Sequence, residues 1–135
     1  MSNIKLNKIF KTACIASDHA GFKLKEDIKD YLIDNNFSVF VVGPYNDRQV
    51  DYPDYAKKLG NRIKLKKSNV GILVCGSGTG MAISANKIKT IRAAVCYNLK
   101  STRLSRQHNN ANIIALVSRL TKKRLSLKLV EVFLS

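Results

Sequence analysis

Segment 71–88, GILVCGSGTGMAISANKI, places a thiol beside a glycine-rich turn, and this combination can do chemistry. Residues 72–74 are apolar and predict a buried strand, which Cys75 follows directly. Glycines then stand at positions 76, 78 and 80, before the apolar spacing becomes helical. A strand, a glycine turn and a helix start bring backbone N–H groups together around an anion. The segment therefore predicts a catalytic pocket with a thiol at its mouth.

Cys75 is the candidate nucleophile or general base of this pocket. Both roles need the thiolate, and a helix N-terminus with nearby cations lowers the pKa of a thiol below its usual value of about 8.5. The alternative is a cysteine that simply packs at a strand end, which is how we interpret Cys14 and Cys96. Ser77 and Thr79 add hydroxyl donors, so the turn could hold a phosphate or a developing oxyanion. Its spacing fits neither a Walker loop nor a dinucleotide-binding turn.

A second group of polar residues follows the apolar run 13–17. Asp18 could be only a helix N-cap, but His19 beside it favours a contact with a ligand. Tyr52, in a DYP turn, could line the same crevice or pack in the core. His108 lies at the far end of a predicted helix, roughly 15 Å from the crevice at 1.5 Å per residue. It either interacts with the helix dipole or serves the crevice of a neighbouring subunit, and the residues alone favour the first reading.

Five short apolar runs alternate with five amphipathic stretches, which predicts an α/β fold. We expect a single-domain, doubly wound, five-stranded parallel sheet with helices on both faces, a Rossmann-like architecture. The predicted strands are 13–17, 37–42, 70–74, 92–96 and 112–117, and the predicted helices are 22–35, 53–63, 80–88, 99–108 and 121–134. If the strand order is 2-1-3-4-5, the loops after strands one and three face one crevice. The last helix should bury Leu125, Leu129, Val132 and Phe133.

The composition of the 135 residues indicates a globular protein, since 45% are apolar. The net charge of +15 would attract phosphorylated small molecules or nucleic acid. The basic residues are scattered with few aromatics between them, so we interpret them as solvated helix faces and expect no nucleic-acid partner.

No apolar run approaches the roughly 20 residues that cross a membrane. We expect a cytoplasmic protein with reduced cysteines, a basic N-terminal extension over 1–12 and one domain over 13–135.

The motifs SDHAG, DYPDYA, GILVCGSGTGMAISANKI, IRAAVC and SRQHNNAN resemble the ribose-5-phosphate isomerase B family, and the resemblance covers roughly residues 12–134. This family belongs to the wider sugar-phosphate isomerases, which include galactose-6-phosphate isomerase. The resemblance implies a doubly wound five-stranded sheet, and a homodimer or dimer of dimers with active sites between subunits. It implies no metal and no organic cofactor. The implied reaction interconverts ribose 5-phosphate and ribulose 5-phosphate through an enediolate.

The resemblance also implies residue roles, by the match of each motif. Cys75 would be the catalytic base between C1 and C2, and His108 would help to open the furanose ring, with Asn109 beside it on the substrate. The implied anion hole consists of Gly76, Ser77, Gly78, Thr79 and Gly80, with Ser77 among the catalytic residues. The implied contacts to the sugar or its phosphate are Asp18, His19, Tyr52 and Arg119.

Two departures from the family pattern lead to an alternative. Relatives continue past the last helix into an arm with phosphate-binding arginines, whereas this sequence ends at Ser135. Arg119, His19 and Arg124 would then hold the phosphate alone, and Thr79 stands where relatives have an aliphatic residue. The alternative function is a catalytically impaired protein that binds sugar phosphates. Allose 6-phosphate is a second candidate substrate.

Overall fold

Strands and helices alternate along the whole described chain. The computed structural model describes residues 12–46 and 52–135, so the expected extension over 1–12 lies outside the described residues except for Thr12. The elements are β1 (Thr12–Ser17), α1 (Phe22–Asp34), β2 (Ser38–Gly43), α2 (Tyr52–Lys64), β3 (Val70–Cys75), α3 (Thr79–Asn86), β4 (Ala93–Cys96), α4 (Leu99–Gln107), β5 (Ile113–Val117) and α5 (Lys123–Leu134). Every predicted strand and helix is present, and the ends lie close to the predicted ones.

The five strands form one parallel sheet in the order β2-β1-β3-β5-β4. The predicted fold class is confirmed, but the predicted strand order is wrong at one end, because β5 lies between β3 and β4. All five residues of β5 are buried, as in a strand covered on both faces. The shorter β4 is only partly buried over its first three residues, which suits an edge strand. The exchange of β4 and β5 leaves β1 next to β3, so the winding of the sheet reverses between these two strands as predicted.

Two apolar layers cover the sheet. One layer joins inward residues of α1 and α5 to the strands, and the other joins residues of α2 and α3. Within β1, Ile15 faces the first layer and Cys14 the second, which is the alternation of a strand buried on both faces. Strand β3 is buried at every residue. Cys75 therefore ends a strand that is buried along its whole length.

The buried face of α5 is rotated from the predicted one. Leu125 is 37% exposed, so its prediction as a core residue is wrong. Ser126 takes the inward place, and its Oγ lies 3.1 Å from the Oγ1 of buried Thr121. The hydrogen bond lets two hydroxyls be buried at little cost, and hydrophobic spacing does not reveal it. Cys14 and Cys96 are buried and free, as predicted.

Candidate active site

The loops after β1 and β3 begin side by side at the carboxyl edge of the sheet, as predicted. Ser17 pairs with Val74 in the parallel ladder, and the Asp18 N–H donates to the Val74 carbonyl at 3.1 Å. A Cβ atom on Gly21 would lie 2.3 Å from that carbonyl oxygen, so only glycine lets α1 start this close to β3. The two loops are thereby packed against each other.

The carboxylate of Asp18 bonds one amide from each loop. Its Oδ1 accepts the Gly21 N–H at 2.8 Å, and its Oδ2 accepts the Gly76 N–H at 3.1 Å. The N-cap of α1 is Gly21, and no side chain caps that position. The alternative that Asp18 is only a helix N-cap is therefore wrong.

Cys75 is held inside the glycine turn. Its side chain is 3% exposed, and its Sγ accepts the Gly78 N–H at 2.9 Å. Burial raises the pKa of the Cys75 thiol above its ordinary value, and the negative charge of Asp18 raises it further. The N–H groups of Met81, Gly78 and Ser77 oppose this increase in pKa without overcoming it. The expected lowering of the thiol pKa is wrong, because desolvation of the thiolate outweighs the helix start.

The turn itself needs glycine at its centre. Gly78 has a φ of +78°, and a Cβ there would lie 2.7 Å from Val117 Cγ2. Ser77 and Thr79 are exposed, and their role as donors to a ligand stays a prediction. Gly78 is also the N-cap of α3, and because it is glycine it offers no capping side chain. The N–H groups of Gly78 and Met81, at the start of α3, approach the Cys75 sulfur and favour its thiolate form.

Tyr52 and Arg119 lie against the two ends of the turn. A Cβ on Gly80 would stand 3.0 Å from Tyr52 Cζ, and a Cβ on Gly76 would stand 3.0 Å from the Nε and Cζ atoms of Arg119. Tyr52 is 40% exposed, so it is not a core residue. Of the two predicted positions, it takes the one beside the crevice, against Gly80 of the turn. The Arg119 N–H donates to the Gly76 carbonyl at 3.3 Å. The fold thus brings Arg119 to Cys75 over a long sequence separation.

Ser118 is a residue that sequence reasoning missed. Its N–H donates to the Cys75 carbonyl at 2.9 Å, and its Oγ lies 3.4 Å from the Ala20 carbonyl. It therefore joins the end of β5 to both loops of the site. The available signal was its position directly after a buried strand, but that signal depends on knowing that β5 is next to β3.

His19 lies in the first loop, at the edge of the site. It is exposed and lines a cavity of about 550 Å³ together with Ala20, Lys23 and Glu26. Asp27 lines the same cavity, so one lysine stands beside two carboxylates there and the charge of the cavity does not favour an anion.

His108 and Asn109 lie at the opposite edge of the sheet from Cys75. Helix α4 starts at the carboxyl edge with Asn98, whose side chain accepts the Ser101 N–H at 2.7 Å, and His108 is its C-cap. The Asn109 carbonyl accepts a 2.5 Å hydrogen bond from Nε of Arg92, the residue before β4. The structure thus separates His108 from Cys75 within one chain, as the helix length predicted.

Across residues 12–46 and 52–135, no group of three or more His, Cys, Asp or Glu side chains is arranged to hold a metal ion. Within the same ranges, none of the helices has the length and apolar character that a membrane span requires.

Comparison with known proteins identifies the family. The ribose/galactose isomerase family model matches residues 13–135. Ribose-5-phosphate isomerase B of Escherichia coli is 37% identical over 124 residues, which are 92% of this chain and 83% of that protein. A ribose 5-phosphate isomerase from Thermotoga maritima superimposes with a TM-score of 0.90 at 48% identity, covering 92% of this chain and 86% of its own.

A third relative was solved with a sugar phosphate in place. Ribose-5-phosphate isomerase B from Mycoplasma genitalium with bound ribulose-5-phosphate has a TM-score of 0.86 at 39% identity, covering 92% of this chain and 83% of its own. The resemblance inferred from the motifs is confirmed by these matches. The chain is an isomerase that belongs to the ribose/galactose isomerase family.

Proposed function

We propose that this protein interconverts ribose 5-phosphate and ribulose 5-phosphate through an enediolate. The observation that carries the proposal is the Sγ of Cys75, held at the carboxyl end of the central strand within a turn of backbone donors. The substrates named for the Escherichia coli and Mycoplasma genitalium relatives agree with it. Other substrates of the family, allose 6-phosphate among them, share the same carbon chemistry.

The reaction moves one proton between neighbouring carbons. The Cys75 thiolate removes the proton from C2 of the open-chain aldose, and the electron pair moves onto the carbonyl oxygen to form the enediolate. The hydroxyl proton on O2 then passes to O1 within the enediolate. The thiol returns its proton to C1 as the C2–O2 carbonyl forms, which gives the ketose and regenerates the thiolate. A base positioned in this way typically contributes about 10²–10⁴-fold to the rate.

The enediolate charge needs donors that are already in place. The Gly76 amide is bonded to Asp18 and the Gly78 amide to the thiol, so we assign the main stabilisation to the amides of Thr79 and Gly80. The Ser77 hydroxyl, which is exposed at the same turn, adds a side-chain donor. Fixed donors of this kind supply on the order of several kcal/mol, because they stabilise the transition state more than the substrate.

The sugar is proposed to lie between the residues that flank the turn. Tyr52 would contact the sugar at one end, and the Arg119 guanidinium would bind the phosphate at the other, with His19 completing the phosphate contact. Asp18 has both carboxylate oxygens engaged by amides, so any contact with the sugar would use their second lone pairs. The formal net charge of +15 favours the approach of an anionic substrate.

The site is proposed to be completed by a second subunit. Because His108 and Asn109 lie far from Cys75 in their own chain, they can reach a Cys75 turn only from another copy of the protein. A homodimer or dimer of dimers would place them there, His108 to assist ring opening and Asn109 on the substrate. No metal or organic cofactor is needed for this proton transfer. The proposed compartment is the cytoplasm, which suits three free cysteines.

A steady-state isomerase assay tests the proposal. Ribose 5-phosphate and allose 6-phosphate should be compared in parallel, and turnover of ribose 5-phosphate is the expected result. Thermal unfolding with each sugar phosphate is measured alongside. A raised melting temperature with no product would overturn the isomerase and support the sugar-phosphate binder.

A further inference from the structure

Asp18 is the side chain that joins the two loops of the site. One carboxylate oxygen accepts the amide N–H of Gly21, the N-cap of α1, and the other accepts the first amide N–H after Cys75. Hydrogen bonds that amides donate to a charged carboxylate are about twice as strong as those between neutral groups. A single side chain therefore sets the spacing between the β1–α1 loop and the β3–α3 turn.

The bond to Gly76 fixes more than one amide. In the peptide group between Cys75 and Gly76, the N–H is bound by Asp18 and the carbonyl accepts the Ser118 N–H at 2.9 Å. The next carbonyl, that of Gly76, accepts the Arg119 N–H at 3.3 Å. Both peptide groups that flank Gly76 are thus held. The position of the Cys75 side chain and the backbone of Arg119 both depend on this arrangement.

We propose that Asp18 is a positioning residue: its carboxylate locks the first loop to the Cys75 turn and so holds the thiol and Arg119 in their relative places. The inference rests on the proposed function for its catalytic consequence, but the lock itself exists without substrate. It differs from a role in binding the sugar, because the bonded partners of Asp18 are backbone amides of the protein.

The charge of Asp18 supplies a second readout. The titratable and charged side chains around the turn include Asp18, Tyr52 from α2 and Arg119 after β5, and Tyr55 of α2 packs against the same apolar cluster as Cys75. Among these, Asp18 raises the pKa of the Cys75 thiol. Removal of this negative charge by Asp18→Asn should therefore move the ionisation of Cys75 to lower pH.

The first experiment uses the wild-type protein without substrate. The amide protons of Gly21 and Gly76 are followed by NMR while the pH is lowered. If one carboxylate bonds both, the two signals shift together as it is protonated. A Gly76 signal that stays fixed while the Gly21 signal moves would overturn the lock. This measurement tests the lock without any variant and without any isomerase activity, so it is independent of the proposed function.

The second experiment compares Asp18→Asn with Asp30→Asn, the same change at an exposed carboxylate of α1 that pairs with Lys29 at 3.7 Å. The ionisation of Cys75 is followed by thiolate absorbance, with Cys75→Ala in each background as the reference. Asp18→Asn should shift this ionisation to lower pH and reduce kcat about tenfold to a hundredfold, while Asp30→Asn changes neither. An increase in KM alone, with the thiolate titration unmoved, would overturn the positioning role in favour of substrate contact.

Discussion

The Gly78 N–H donates a 2.9 Å hydrogen bond to the Sγ of Cys75, so the turn reaches back to the thiol that precedes it. This contact requires the left-handed backbone of Gly78, with a φ of +78°. The same turn starts α3, whose first N–H groups lie beside the sulfur. The relationship ties the base and the proposed anion hole to one short segment, and it makes Cys75 the first residue to test.

Replacement of the thiol should abolish isomerisation and leave the fold intact. Cys75→Ala removes the proposed base, and we expect turnover to fall by about 10²–10⁴-fold or more. The matched control is Cys96→Ala, which truncates another buried and free thiol outside the turn. Circular dichroism and thermal unfolding check the fold of both variants. Turnover near the wild-type rate in Cys75→Ala would rule out the mechanism.

The pH dependence of the reaction should report the environment of Cys75. Burial first, and the charge of Asp18 second, raise the pKa of this thiol. The thiolate is the active form and its fraction grows with pH, so kcat/KM should rise with pH and the rising limb should lie above the ordinary range of a thiol. Cys96→Ala should give the same profile. A limb at or below the ordinary thiol range would contradict the raised pKa.

The sequence was sufficient for the element order and for the Cys75 turn, because both depend on local spacing. It was insufficient for the place of β5, which depends on how strands compete for the centre of the sheet. The burial of Ser126 in place of Leu125 likewise depends on a hydrogen bond to Thr121 that only the folded chain provides.

The direction of the pKa shift at Cys75 also could not be predicted from the neighbouring sequence. A helix start lowers the pKa of a thiol, and this effect is visible in the sequence. The opposing effects are burial by the packed loops and the charge of Asp18, and Asp18 is far from Cys75 in the sequence. Burial makes the largest contribution to the pKa of Cys75, and it depends on the tertiary structure, so it sets the direction of the shift.

Two glycines of the turn should respond differently to the same substitution. Gly78→Ala places a Cβ at a positive φ and 2.7 Å from Val117, so it should lower the free energy of unfolding by about 1–3 kcal/mol. Gly76→Ala meets only the flexible end of Arg119, at 3.0 Å. It should displace the guanidinium and raise KM, with little change in stability.

Chemical denaturation and steady-state kinetics on both variants separate these outcomes. Equal stability of the two variants would contradict the strain at Gly78. An unchanged KM in Gly76→Ala would contradict the assignment of Arg119 to the phosphate.

The protein should lose stability at alkaline pH because the Cys14 thiol ionises more easily in the unfolded chain. Burial raises the pKa of this thiol from 9.0 to about 11. The unfolded chain loses its proton at lower pH than the folded chain, so the contribution of this thiol is complete below pH 9.0 and is lost as the pH rises to about 11. The loss amounts to about 3 kcal/mol at most, at roughly 1.4 kcal/mol per pKa unit.

Urea denaturation at a series of pH values measures this effect. Because Cys14→Ala also leaves a small cavity, the slopes against pH are compared rather than the absolute free energies of unfolding. The variant should show a shallower decline than the wild type in this pH window. Identical slopes would mean that the folded and unfolded thiols ionise alike.

Mixing two inactive variants tests whether the site spans subunits. Cys75→Ala lacks the base and His108→Gln lacks the proposed ring-opening group, so each homodimer should be inactive or severely impaired. In a hybrid dimer, one site has both defects and the other combines the wild-type Cys75 of one chain with the wild-type His108 of the other. Random exchange makes half of the dimers hybrids, so about a quarter of the sites should regain activity. If both groups came from one chain, every site in a hybrid would keep one defect and mixing would restore nothing.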